Sequence, residues 1–390
     1  MMNVDTLKTA FKQEYGAGGL PVQYFFSPGR VNLIGEHIDY NGGYVFPAAL
    51  TLGIYGAIRL RQDGLIVLKS LNTTPSITVD LTKPIVYTLA EGWANYPKGI
   101  IKQLLDSGFS LTGCDILIAG NLPDGTGLSS SAALLVLTAF MLRTVNGDDN
   151  IDRAELAQFC QRVENRFIGV NCGIMDQFAV AMGKENCAIL LDCETLSYKY
   201  IPVALEDYSL VIMNTNKKRE LAESKYNERR SECEQALAIL QGYKPISNLC
   251  QAAPADIDAY LTDGVLRRRA RHVVTENNRV HAAVQLLENG EVAGFARLMT
   301  QSHSSLRNDY EVTGPELDVI VDTALGAPGC AGARMTGAGF GGCAIALVKT
   351  DQLKQFTAAV ANGYNAGTGR DADFYVAGIA DGVSLVEGSG

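Results

Sequence analysis

The stretch Asn121-Leu-Pro-Asp-Gly-Thr-Gly-Leu-Ser-Ser-Ser-Ala-Ala133 constrains this chain more than any other. The apolar run from Cys114 to Ala119 just before it predicts a buried strand. The run from Ala132 to Leu142 just after it predicts a buried helix. Between them lie Gly125, Gly127 and three serines, Ser129 to Ser131. Glycine lets backbone N–H groups come close to an anion. A helix start adds unpaired N–H donors and the positive end of the helix dipole. Strand, Gly/Ser loop and helix together form a phosphate cradle. No Gly-Lys-Ser/Thr follows at Walker A spacing, so the loop is of another kind. On this loop alone, a Ser-capped helix after a glycine turn is an equal alternative.

A chain of 390 residues predicts two domains or three. With 47% apolar and 19% charged residues it has the material for a large core. A net charge of −9 argues against nonspecific binding to nucleic acid or anionic membrane. The nine cysteines include no Cys-x-x-Cys, and the odd count fits reduced thiols in a cytoplasmic protein. There are only four histidines, and none has ligand spacing to a cysteine, which argues against zinc. The N-terminus lacks an apolar signal core, and the longest apolar run is too short to span a bilayer.

Residues 5–15 predict an amphipathic helix, and Tyr24 to Ser27 a strand turned by Pro28-Gly29. The next segment, 30–43, places Arg30, Glu36, His37 and Asp39 among apolar Val31, Leu33, Ile34 and Ile38. Charges interleaved with apolar residues pack partly inside, where they need partners or a ligand. Residues 44–80 predict an antiparallel sheet built on Gly53–Leu60, Leu65–Ser70 and Ile77–Val79. Asp176 sits in apolar company, and alone it reads more readily as a cap than as a site. Tyr226 falls inside a long charged helix over 217–241, and 244–265 reads as a loop-rich connection. Gly337, Gly339 and Gly342 match G-x-G-x-x-G, but a strand, Cys343 to Val348, follows them. A dinucleotide fingerprint needs a helix there, so these glycines mark a loop whose backbone approaches something closely.

Three stretches stand in order: 29–43, 123–132 and 336–343. They resemble the three motifs of the GHMP small-molecule kinases, and the first looks like the signature of the galactokinase branch of that family. Cys172-Gly-Ile-Met-Asp-Gln-Phe178, Arg271 to Asn278 and Ser302 to Val312 extend the resemblance over nearly the whole chain. It implies an α+β, two-lobed fold with mixed sheets and helices and an active site between the lobes. The N-terminal lobe would span 1–205 and the C-terminal lobe 206–371, with the tail 372–390 packing back onto the first.

The resemblance also assigns roles. Asp176 and Arg30 take the catalytic positions. Glu36, His37, Ile38, Asp39, Gly173 and Tyr226 take the sugar-binding positions, with Ile38 standing where a threonine is common. Residues 125–131, that is Gly125, Thr126, Gly127, Leu128, Ser129, Ser130 and Ser131, form the nucleotide phosphate loop, and Ser70 is a further nucleotide-side contact. Ser131 and Glu164 are the magnesium ligands. The implied reaction is ATP-dependent phosphorylation of D-galactose at the C1 hydroxyl. The implied alternatives are a kinase for another sugar such as N-acetylgalactosamine, and a silent sensor of sugar and ATP. Protein partners are not implied.

Overall fold

The computed structural model describes residues 2–122, 127–217 and 222–386. The phosphate-loop residues Gly125 and Thr126 therefore lie outside the described residues. Two sheets, each backed by helices, make two lobes, and a small third sheet joins the first lobe.

The first sheet has six strands in the order Ser384–Leu385, Gln23–Asn32, Pro47–Leu60, Cys114–Gly120, Leu65–Ser70, Ile77–Asp80. Its pairings are antiparallel except that Leu65–Ser70 runs parallel to Cys114–Gly120. The antiparallel sheet expected over 44–80 is therefore divided: Leu65–Ser70 and Ile77–Asp80 pair antiparallel, but Cys114–Gly120 separates them from Pro47–Leu60. Cys114–Gly120 is buried along nearly its whole length, with an isolated charge at Asp115. Such a strand is stable in the middle of a sheet, so it inserts between Pro47–Leu60 and Leu65–Ser70. Asp115 is matched there by Arg59 on the neighbouring strand, at 2.7 Å.

The helix Ser130–Val145 lies on this sheet and is apolar nearly all round, because Arg153–Val163 and Met175–Met182 cover its other sides. Gln23–Asn32 does not turn at Pro28-Gly29. It continues as a strand through a register shift between Pro28 and Arg30. A Cβ on Gly29 would press on the Leu128 carbonyl at 2.9 Å, so glycine here serves close packing against the serine loop.

The second sheet runs Cys330–Thr336, Cys343–Lys349, Tyr208–Asn214, Asp373–Ala377, all antiparallel. Helices Gly264–Glu288, Val292–Ser305, Pro315–Leu325 and Leu353–Thr368 belong to the same lobe. The connection over 244–265 holds more structure than expected: Pro254–Tyr260 is helical and the next helix begins at Gly264, capped by Asp263. Of the tail 372–390, Asp373–Ala377 adds to the second sheet and Ser384–Leu385 pairs with Gln23–Asn32. One apolar core runs through both lobes. No described helix is long and apolar enough to cross a membrane.

The glycine-rich motif links the antiparallel strands Cys330–Thr336 and Cys343–Lys349. That is the strand–loop–strand context that excludes a dinucleotide fold. Gly339, at φ 79°, packs so tightly against Val312 that a Cβ would overlap its carbonyl.

Candidate active site

A cavity of about 640 Å³ opens where the signature loop, the serine helix and the glycine-rich loop converge. The register shift in Gln23–Asn32 aims Arg30 at its floor. Arg30 Nε and Nη2 donate to the two carboxylate oxygens of Asp176, each at 2.8 Å. Arg30 Nη1 donates to the Gly127 carbonyl at 2.6 Å. Asp176 stands in the first turn of Met175–Met182, and Ser129 Oγ donates to its Oδ2. Ser129 sits at φ 61°, in the left-handed region, and ends the loop just before the helix begins at Ser130. The open N–H groups of that helix start therefore lie beside the Arg30–Asp176 pair.

On one side of the pair lies Glu164, at the start of the π-turn Glu164–Ile168 and 4% exposed. Gln177 Nε2 donates to it at 2.6 Å, and the Ser131 hydroxyl is hydrogen-bonded to it as well. Burial, with the charge of Asp176 adding to it, pushes the Glu164 carboxyl up to about 7. Among the described residues no group of three or more His, Cys, Asp or Glu forms a ready-made metal cage. A desolvated carboxylate beside one hydroxyl still fits a hard cation such as Mg²⁺, which takes one or two protein oxygens and fills its shell with water and phosphate.

On the other side lie Asp39, Gly173, His37, Glu36 and Tyr226. The Asp39 carboxylate rests directly against the Cα of Gly173, where no side chain has room. Burial first, and the nearby Asp176 second, push Asp39 up to about 7. His37, at φ 63°, turns its ring so that Nε2 is 3.2 Å from the Ala338 carbonyl and Nδ1 is 2.8 Å from the Tyr40 hydroxyl. Burial pushes this imidazole down to about 3, so it is neutral. A carbonyl only accepts, so Nε2 carries the proton and Tyr40 donates to Nδ1. Tyr310, 2.8 Å from Tyr40, then donates to the Tyr40 oxygen. The Tyr226 ring packs 5.6 Å from His37 and 5.2 Å from Tyr40, and burial pushes its hydroxyl well up. Glu36 is 2% exposed and accepts from Asn32 Nδ2, Thr336 Oγ1 and Gly337 N, at 3.2, 3.0 and 2.8 Å.

Other expected residues lie elsewhere. Ile38 is fully buried in the core and does not line the cavity, because the helical turn Asp39–Asn41 that follows it directs its side chain inward among apolar neighbours. Ser70 ends the strand Leu65–Ser70, takes a hydrogen bond from the Asn72 N–H at 3.2 Å and is no part of this cavity wall. Leu128 is buried, with its carbonyl accepting from the Arg30 N–H, and Ser130 is exposed. The walls also include Asn171, Cys172, Ser224, Asn227 and Ala338, which the sequence reading did not single out. Cys172 opened a recognised motif and Asn171 stood just before it, and Ala338 lay inside the glycine loop. Ser224 and Asn227 carried no signal beyond their closeness to Tyr226.

Comparison with known proteins gives the same assignment. The family models for the galactokinase galactose-binding signature, the GHMP kinase N-terminal domain and the GHMP kinase C-terminal domain match residues 9–60, 95–184 and 283–366. The chain is 51% identical to the galactokinase of Clostridium tetani, over 98% of this chain and 97% of that one. It is 50% identical to that of Exiguobacterium sibiricum, over 99% of each. Its structure superposes on Lactococcus lactis galactokinase complexed with galactose with a TM-score of 0.92 at 46% identity, covering 98% of this chain and 100% of that one. The mevalonate kinase of Methanococcus jannaschii, at 20% identity and a TM-score of 0.69, shares the fold over 93% of this chain and 99% of that one. Fold, cavity and likeness agree: the chain belongs to the galactokinases of the GHMP kinase family.

Proposed function

We propose that this chain transfers the γ-phosphoryl group of ATP to the C1 hydroxyl of D-galactose, with Asp176 and Arg30 at the reacting centre. The observation that carries the reading is the two-pronged Arg30–Asp176 pair, set between the helix start at Ser130 and the polar cluster of Asp39, His37 and Tyr226.

Phosphoryl transfer has a loose transition state that asks for alignment and charge neutralisation. Asp176 accepts from Arg30 and Ser129 and keeps lone pairs for the C1 hydroxyl, which it orients in line with the phosphorus. Held by these donors, Asp176 is fixed to orient the hydroxyl and to take its proton as the bond to phosphorus forms. Arg30 is fixed by Asp176 and the Gly127 carbonyl and offsets charge that builds on the transferring oxygens. The loop over 125–131 cradles the phosphates with backbone N–H groups. Ser131 and Glu164 hold Mg²⁺, which when bound neutralises phosphate charge. Asp39, Glu36 and Tyr226 meet sugar hydroxyls, and Gly173 leaves the space that Asp39 occupies. None of the nine cysteines forms a disulfide, which supports work in the reducing cytoplasm.

The test is ATP consumption on galactose, glucose, 2-deoxygalactose and N-acetylgalactosamine. A site that pairs each hydroxyl rejects a wrong epimer because buried groups are left unpaired, so galactose should exceed glucose by at least about a hundredfold in kcat/KM. Equal rates on the two would overturn the proposal. Preference for N-acetylgalactosamine would replace the substrate.

A further inference from the structure

Behind the cavity lies an arginine whose surroundings are incomplete. Arg334, on Cys330–Thr336, is fully buried and lines no part of the cavity. Its Nη1 donates to the Asn32 carbonyl at 2.9 Å, while Nε and Nη2 find no hydrogen-bond partner among the described residues. A buried guanidinium with one hydrogen bond is strongly unfavourable unless an opposite charge faces it. Two carboxylates are near. Glu276 already has a cation of its own, Arg279 Nε at 2.7 Å, besides the Gly35 N–H at 2.9 Å and Ser302 Oγ at 2.6 Å. Glu36 remains, with Oε1 3.6 Å from Nη2 of Arg334.

Every hydrogen-bonding group on the Glu36 carboxylate is a donor. Thr336 Oγ1 and Gly337 N fill Oε1, and Asn32 Nδ2 alone reaches Oε2. These three donors suit the ionised carboxylate, whereas burial holds the carboxyl above its ordinary value, so the charged form depends on the cations that face it. Only Oε2 keeps a place for a further donor, such as a sugar hydroxyl.

We infer that Arg334 is a positioning residue for the sugar site: from the C-terminal lobe it holds Glu36 of the N-terminal lobe as a charged acceptor with one oxygen free for the ligand. This rests on the reading of Glu36 as a sugar contact. Burial alone pushes the Glu36 carboxyl up, and Arg334 is the strongest group pulling it back, with Arg30 next. The other titratable groups around it are His37 and Asp39 in the signature loop and His272 and Glu276 on Gly264–Glu288. His37, at about 3, and His272, at about 4, are neutral above pH 6, and Glu276, at about 2, is charged throughout. Asp39, pushed up to about 7 by burial and in part by the charge of Glu36, titrates in the same range, so the profile is read beside that of Glu36→Gln, where Asp39 titrates without that charge.

The experiment measures KM for galactose from pH 6 to 9 in wild type, Arg334→Met, Arg334→Lys and Glu36→Gln. In Arg334→Met, galactose KM should rise at least about tenfold at pH 7, and kcat at saturating sugar should change by less than about threefold. The ratio of its KM to that of wild type should fall as pH rises, because alkali ionises the unsupported Glu36. Arg334→Lys should recover most of the loss. A raised ratio that stays flat with pH overturns the inference, since mere loosening of the fold has no reason to follow Glu36 ionisation. A wild-type KM in Arg334→Met alongside an impaired Glu36→Gln overturns it too, leaving the sugar contact standing. A wild-type KM in Glu36→Gln removes the sugar contact itself, and the inference with it. If Arg334→Met does not fold, the double variant with Glu36→Gln should, because no lone buried carboxylate remains. Failure of the double variant, where Glu36→Gln alone folds, overturns the inference.

Discussion

Gly173→Ala tests the proposed sugar contact at Asp39, which packs directly against this glycine. A Cβ at residue 173 would fall deep inside the Asp39 carboxylate, with even the Asp39 Cβ only 3.3 Å away. Ordinary contact needs about 3.5 Å between heavy atoms, so the carboxylate oxygen must retreat by more than about 1 Å. Asp39 cannot retreat freely, because the Tyr40 backbone N–H donates to its carboxylate and a shift gives up that hydrogen bond. Misplacing a positioning group by about 1 Å costs on the order of a hundredfold in rate, and overpacking costs about 1–3 kcal/mol of stability. Gly173→Ala should therefore lower kcat/KM for galactose about a hundredfold and lower Tm by several degrees. The assay is ADP release at varied galactose, with thermal unfolding on Gly173→Ala, Asp39→Ala and the double variant. Because Asp39→Ala removes the obstructed atoms, the added methyl should cost almost no further stability in that background. An alanine at 173 that keeps activity within threefold, or that destabilises equally in both backgrounds, refutes the steric argument.

Asp176→Asn should keep the fold and lose several orders of magnitude in turnover, because Arg30 then faces an amide in place of its ion-pair partner; near-normal turnover in the folded variant would remove Asp176 from the centre. Glu164→Gln should raise the magnesium concentration needed for half-maximal rate, and an unchanged titration would leave Glu164 with a structural role only. Asp39 in the folded chain binds its proton up to about 7, above its ordinary value of 3.8. The folded state then holds more protons than the unfolded one between these values, so this group's share of stability falls as pH rises from about 4 to about 7. Asp39→Asn should accordingly raise Tm at pH 8 more than at pH 5 while abolishing use of galactose; an equal change at both pH values would show that Asp39 ionises normally. Tyr226→Phe should relax discrimination between galactose and glucose more than it slows galactose turnover, as read from the two kcat/KM values.

Local chemistry in the sequence was enough for several elements. Apolar runs on either side of a Gly/Ser loop, interrupted only by Asp115 and Thr138, left strand Cys114–Gly120 and helix Ser130–Val145 few alternatives, and glycines followed by a strand excluded a dinucleotide fold. The helix Leu353–Thr368 went unread because its apolar residues Phe356, Val360 and Tyr364 are diluted by small and polar ones, and only its packing against Pro315–Leu325 makes it a helical face. The order of the first sheet was equally hidden, since no local pattern says that Cys114–Gly120 inserts between earlier strands.

The site divides in the same way. The residue types of the signature loop announced chemistry, but the pairing of Arg30 with Asp176 joins positions 146 apart. The inward turn of Ile38 and the wedge of Asp39 against Gly173 arise only in tertiary packing, and the grip of Thr336 and Gly337 on Glu36 only when the lobes meet. Period and propensity act over a few residues, whereas a buried charge is matched by whatever the fold brings within a few ångströms. The sequence determined which groups would need partners, and tertiary packing decided which partners they found.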